Sequence, residues 1–98
     1  MTSIIELIIK IEERPAMYIS KNYISCLRAF IDGWYFRDTS NITDIDFMGD
    51  FQDWITSKYK IKTNHSWNDI ILFYSQDEVD ALKNFFKEFD EFLDQMNN

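Results

Sequence analysis

The chain holds one cysteine, one proline, two glycines and one histidine among 98 residues, and each shortage excludes something. A lone Cys26 forbids an internal disulfide and suits a reducing cytoplasm. So few glycines and prolines argue against the many tight turns of a small β-barrel or sandwich. One histidine and one cysteine, 39 positions apart, cannot make a zinc site, which needs three or four ligands. Nor does His65 have a sequence neighbour that completes an acid–base pair. It sits just before Ser66 and Trp67, where helping a helix start or packing on the indole is the simpler role. Cys26 falls inside an apolar helical stripe and reads as a small core residue. The carboxylates do not fit a calcium loop either: Asp44, Asp46 and Asp50 come nearest, but Gly49 is out of place. No cofactor, metal or catalytic set is therefore expected, and the chain does not read as an enzyme.

Long apolar runs are missing as well. The stretch Ile4–Ile11 is broken by Glu6 and Lys10 and is far shorter than the roughly 20 residues a membrane helix needs. The segment Met1-Thr2-Ser3-Ile4-Ile5-Glu6 has no basic n-region, so no signal peptide is expected.

Positive charge is the other shortage. Ten Lys/Arg face seventeen Asp/Glu, a net of −7. Residues 1–62 hold eight bases and nine acids, a net of −1, and residues 63–98 hold Lys83 and Lys87 against eight acids, a net of −6. Such a surface repels a phosphate backbone, which argues against nucleic-acid binding. Its natural complement is a basic protein.

What the sequence has in quantity is aromatic and aliphatic residues at helical spacing. One domain of this mass buries roughly 65% of its unfolded surface, leaving about 6,000 Å² exposed. The last third, Ser75 to Asn98, organises the rest. Ser75 followed by Glu78 reads as a capping box. Val79, Leu82, Phe85, Phe86, Phe89, Phe92, Leu93 and Met96 then repeat on one helical face. The opposite face carries Asp77, Asp80, Glu88, Asp90, Glu91 and Asp94.

Ser3 with Glu6 is a similar start, and Ile4, Leu7, Ile8 and Ile11 predict a first helix over Ile4–Glu13 that Pro15 ends. Ala16–Ile19 reads as a packed extended connector. Ser20 is the expected cap of a second helix running to about Phe36, with Gly33 inside it as a place where another helix approaches closely. Arg37–Ile45 is the polar loop. Asp44 or Asp46 should cap a third helix, Asp46–Lys58, and Lys60–His65 is a connector. Ser66 with Asp69 should open a short fourth helix, Trp67–Tyr74, whose Ile70-Ile71-Leu72-Phe73-Tyr74 run predicts burial all round. The expected fold is all-α: a compact single-domain bundle of five helices, the last lying across the others.

Two base-poor acidic segments stand out: the last helix, and Asp38, Asp44, Asp46, Asp50 and Asp53, which span sixteen residues without a base. The expected protein-binding residues are Asp77, Glu78, Asp80, Glu88, Asp90, Glu91 and Asp94, with Asp44, Asp46 and Asp50 as a second contact. Trp67 and Tyr74 are the expected aromatic anchors, since Tyr and Trp combine large contact area with a polar atom.

Two resemblances bear on function. Arg14-Pro15-Ala16-Met17-Tyr18-Ile19-Ser20 resembles the Arg-Pro-Gly-Met-Tyr-Ile-Gly segment of the type II topoisomerase ATPase subunit. The likeness stops there, without a Gly-rich lid or a strand-rich scaffold. It covers seven residues, with both glycines replaced by Ala16 and Ser20, and is taken as coincidental; the alternative function is a regulatory module binding a host basic protein such as a topoisomerase, and a small enzyme using His65 with a carboxylate is a third. A wider pattern covers most of the chain: Arg14-Pro15-x-Met17-Tyr18-Ile19, Leu27-Arg28-Ala29-Phe30-x-Asp32-Gly33, Phe51-Gln52-x-Trp54, His65-Ser66-Trp67-x-x-Ile70-Ile71 and Phe73-Tyr74-Ser75-x-Asp77-Glu78. It resembles small acidic immunity proteins of bacterial polymorphic toxin systems, including contact-dependent growth inhibition. That resemblance implies a cytoplasmic antitoxin that covers the active site of a delivered basic nuclease toxin, an RNase and the RNase A-like kind foremost.

Overall fold

The computed structural model describes residues 2–37 and 39–98. Five α-helices follow one another: α1 (Ile4–Glu13), α2 (Ile24–Arg37), α3 (Phe47–Lys58), α4 (Trp67–Phe73) and α5 (Glu78–Met96). No strand occurs among the described residues. No helix among them is long and apolar enough to cross a membrane. The all-α bundle expected from the periodicity is the observed fold, and it exposes 6218 Å².

The core has two halves of different chemistry. The stripes of α1 and α2 contribute aliphatic groups: Ile4, Leu7, Ile8 and Ile11, then Ile24, Leu27 and Ile31. Helices α3, α4 and α5 contribute an aromatic cluster centred on Phe51, which is fully buried. Its ring lies 5.5 Å from Phe85, 5.7 Å from Phe92 and 5.9 Å from Trp67, mostly edge-on or tilted. Such geometry lets the ring edge of one residue meet the electron-rich face of the next. A long amphipathic α5 spans this cluster, burying Ala81, Leu82, Phe85, Phe89 and Phe92.

The starts of the helices depart most from expectation, and in one consistent way. Only α1 and α5 are capped by their own flanking residues: the Ser3 hydroxyl accepts from the Glu6 N–H at 3.2 Å, and Asp77 accepts from the Asp80 N–H at 2.8 Å. Other starts draw their caps from distant elements. The Asp44 carboxylate accepts from the Ile4 and Ile5 N–H groups at 2.8 and 3.0 Å and from the Ser3 hydroxyl at 2.8 Å. Asp44 thus closes α1 and does not cap α3. Glu78 accepts from the Ser25 N–H at 3.0 Å and serves α2, whose first turn lies beyond the exposed Ser20. Gln52 accepts from the Trp67 N–H at 2.6 Å and serves α4, where Ser66 makes no side-chain cap. Asp46 stands at the N-cap of α3 without a side-chain bond. Ser75 does not open α5: its hydroxyl donates to the Ile71 carbonyl at 2.7 Å and accepts from Asn84 at 2.8 Å. Exposed helix N–H groups donate to any carboxylate or amide oxygen within reach, so packing decides the partner.

Three further expectations are corrected. Pro15–Met17 form a 3₁₀ turn in place of an extended connector; proline's fixed φ suits the first position of such a turn. Helix α4 is not buried all round. Phe73 is 80% exposed, because only Trp67, Ile70 and Ile71 face the core. Gly33 marks no close helix contact, since a Cβ there would meet nothing within 4 Å.

Candidate functional site

The two acidic segments have different fates in the fold. Most carboxylates of α5 already have partners. Asp77 caps its own helix and Glu78 caps α2. Asp80 accepts from the Gln76 N–H at 2.9 Å and from the Asn84 amide at 3.3 Å. Glu88 and Glu91 hold Lys58 of α3 at 2.8 and 2.6 Å, and the Tyr59 hydroxyl also donates to Glu88 at 3.1 Å. Partial burial tends to lower the Lys58 pKa, but hydrogen bonds to these carboxylates win and hold it above the usual lysine range. Its ammonium also lies 5.0 Å from the Trp54 ring centroid. Tyr59 is raised too, by burial first and then by Glu88. Asp90 sits beside Glu12 of α1, and the Glu12 carboxyl is raised by partial burial and by that neighbouring charge. Of the seven acids expected to bind a partner through α5, Asp94 alone has no polar partner among the described residues. Its helix face also carries Lys83 and Lys87.

Helix α3 presents the contrary case. Asp46, Asp50 and Asp53 are exposed, and none has a side-chain hydrogen bond or ion pair among the described residues. Their spacing of four and three places them along one outward stripe. Like charges one turn apart cost a few tenths of a kcal/mol; the positive end of the helix dipole offsets this for Asp46 and Asp50, but not for Asp53 in mid-helix. Asp44, expected alongside them, is engaged at α1. Asp38 lies outside the described residues.

An open groove of about 700 Å³ lies between α2 and α3; Asp46, Asp50 and Asp53 are not among its lining residues and stand on the neighbouring face of α3. Ile31, Tyr35 and Phe36 line it from α2, Met48, Gly49 and Gln52 from α3, and Trp67 from α4. Trp67 is only 4% exposed and belongs to the core, not to an interface. Apolar surface nevertheless reaches solvent here: Phe36 is 93% exposed and Ile45 is 44% exposed. Among the described residues Arg28 is the one base lining the groove, and it is engaged. Its Nε donates to both oxygens of Asp32 at 3.0 and 2.9 Å, its Nη1 donates to Asn68 at 2.6 Å, and its guanidinium covers the Trp67 ring at 5.5 Å. Asp32 offsets the charge of Arg28, and Asp46, Asp50 and Asp53 add negative charge on the adjacent face of α3. Tyr35 responds to its surroundings: burial first, and then the charges of Asp44 and Asp46, push its hydroxyl up to about 12.

His65 belongs elsewhere. It lines a separate cavity of about 350 Å³ with Ile61, Asp69, Phe73 and Tyr74. The backbone places it: its N–H donates to the Thr63 carbonyl at 3.1 Å and its carbonyl accepts from Gln52 at 3.0 Å. No hydrogen bond joins the imidazole to Asp69 among the described residues. Tyr74, the other expected anchor, is 53% exposed and stacks on Tyr59 with ring centroids 4.9 Å apart.

Phe36, Ile45 and Gly49 are the groove residues that the sequence pattern does not single out. Phe36 reads as the end of an apolar stripe, and only the course of α2 turns it outward. Gly49 does leave a trace: it is a glycine inside a helix, in a chain with only two. No protein-family model, curated protein or solved structure matches this chain.

Proposed function

We propose that the protein is an immunity protein that binds a cognate basic nuclease toxin domain and neutralises it by covering its active site. The observation that carries this reading is the outward stripe Asp46, Asp50 and Asp53, three carboxylates with no hydrogen-bond or ion-pair partner among the described residues, on a helix that also walls an open groove. Carboxylates that cap or cross-link a fold are explained by the fold; these are not. A line of negative charge next to exposed Phe36 and Ile45 suits a cationic protein surface, steering its approach and then meeting its apolar centre. A nuclease active site is cationic because it binds phosphates, and a row of carboxylates imitates them. The residue pattern shared with small acidic immunity proteins points the same way. It favours an RNase as target, with the cytoplasm as the place of action.

The test is to express the protein encoded immediately upstream, isolate its C-terminal domain and ask two questions. Capture on the immobilised immunity protein and loss of RNase activity at equimolar ratio are the expected results. Absence of capture, or a captured nuclease that stays fully active, removes the reading.

A further inference from the structure

We infer that the α2–α3 groove is the seat of the partner, and that its occupant is an amphipathic segment whose apolar side chain enters between Phe36 and Gly49 while flanking Lys or Arg residues meet Asp46, Asp50 and Asp53. This deepens the immunity reading and rests on it for the identity of the partner, though not for the chemistry of the groove.

Three independent features converge. The first is apolar surface in the open. Phe36 is the most exposed of the large apolar side chains among the described residues, at 93%, and Ile45 flanks the same depression. A helix that turns a phenylalanine fully to water gains nothing in folding from it, since the hydrophobic term requires burial. The second is Gly49. A glycine inside a helix weakens it, and such a residue is explained when a neighbour packs against its Cα. No neighbour does: a Cβ at Gly49 would meet nothing within 4 Å. What Gly49 does is line the groove, so a side chain there would narrow the opening without disturbing the fold. The third is charge. The only base in the lining, Arg28, is held by Asp32 and Asn68, and residues 38–57 contain no base. An anionic occupant would meet uncompensated repulsion, whereas a cationic one completes the charges.

The occupant is therefore distinguishable from its competitors by chemistry. A second copy of this chain, net −7, would bring like charge to the groove. A purely apolar ligand would leave the three carboxylates unused.

The test uses the full-length protein, isotope-labelled, titrated with a short amphipathic helical peptide of Leu and Lys and, in parallel, with its Glu-for-Lys counterpart. Amide shifts centred on Phe36, Ile45, Gly49 and Gln52 are expected with the Lys peptide and none with the Glu peptide. Gly49→Trp should weaken that binding by about tenfold or more, as occluding a central pocket does, while its circular dichroism stays at the wild-type value and its melting temperature does not fall. Phe36→Ser, at a fully exposed position, is the second variant and should weaken binding without altering the fold. Shifts located elsewhere, equal binding of the two peptides, or Gly49→Trp and Phe36→Ser proteins that bind like wild type would each overturn the groove assignment. The same variants separate the two proposals. Toxin capture undiminished by Gly49→Trp sinks the groove and leaves the immunity reading standing. A groove that binds the Lys peptide while no upstream protein is captured sinks the immunity reading alone.

Discussion

Helices α3 and α5 are both rich in carboxylates, yet the two sets do different things. On α5, Asp77, Glu78, Asp80, Glu88 and Glu91 cap helices or hold Lys58 and Asn84. On α3, Asp46, Asp50 and Asp53 have no side-chain hydrogen bond or ion pair among the described residues. Charge density alone ranks α5 first, because its segment carries most of the net charge. Partner by partner, the order reverses. A carboxylate already bonded inside the fold has part of its charge and accepting capacity committed there, whereas an unpartnered one gives up only its hydration. The difference teaches that an acidic stretch becomes a candidate interface only after its internal obligations are subtracted.

The sharpest break of this comparison is charge reversal on each helix. Asp46→Lys with Asp53→Lys should weaken toxin capture by about 2–5 kcal/mol, because the partner's cations are then left unpaired in a desolvated contact. Asp94→Lys should change it by less than about 0.5 kcal/mol, as for an exposed rim charge. Titration calorimetry at two salt concentrations measures both. A larger loss from Asp94 would return the interface to α5.

The next effect lies in stability and contrasts two aspartates of one loop. Asp44→Ala removes three hydrogen bonds at the start of α1 and should cost about 2 kcal/mol, the upper range for a helix cap. Asp46→Ala removes none and should stay within about 0.5 kcal/mol. Urea unfolding followed by circular dichroism distinguishes them, and equal losses would deny the structural role of Asp44.

A smaller effect has the opposite sign. Gly49→Ala should stabilise the protein by about 0.5–1 kcal/mol, since the added methyl meets open space and alanine is the better helix former. An unchanged or lower melting temperature would mean that the glycine serves the fold after all.

The smallest effect concerns pH. The folded state raises the Glu12 carboxyl above its ordinary value of 4.5, through partial burial and the adjoining Asp90. The native protein therefore binds that proton more readily than the unfolded chain. The associated stability is present below pH 4.5 and is lost as pH rises through the raised folded value. Glu12→Gln should accordingly stabilise the protein near neutral pH by a few tenths of a kcal/mol, a screened surface value, with the gain fading toward pH 4.5 and below. Thermal melts across that range check the slope. A gain independent of pH would point away from the Glu12–Asp90 pair.

Much of the fold is legible along the chain because its cause is local. The apolar stripe of Ile4, Leu7, Ile8 and Ile11 and the stop at Pro15 place α1 at Ile4–Glu13, its observed span. The stripe through Phe85, Phe89 and Phe92 likewise places α5. Periodicity works here because burial of one helical face is a property of side-chain spacing alone. The same reasoning over-buries α4, since the run Leu72-Phe73-Tyr74 is apolar in the sequence but passes the edge of the core.

The candidate site was half legible. The base-free acidic segment is visible in the sequence; its division into Asp44, engaged at α1, and Asp46, Asp50 and Asp53, without a side-chain bond among the described residues, is not. That division depends on contacts between residues about 40 positions apart. Glu78 at α2 and Gln52 at α4 follow the same rule, with separations of 53 and 15. The sequence by itself determined that this chain makes five amphipathic helices around a core of aliphatic and aromatic side chains, and that its surface is acidic. Only the tertiary structure decided which acids hold that core together and which face outward. A helix start will accept an oxygen from any element that packing brings within about 3 Å, and no local pattern records which element that is.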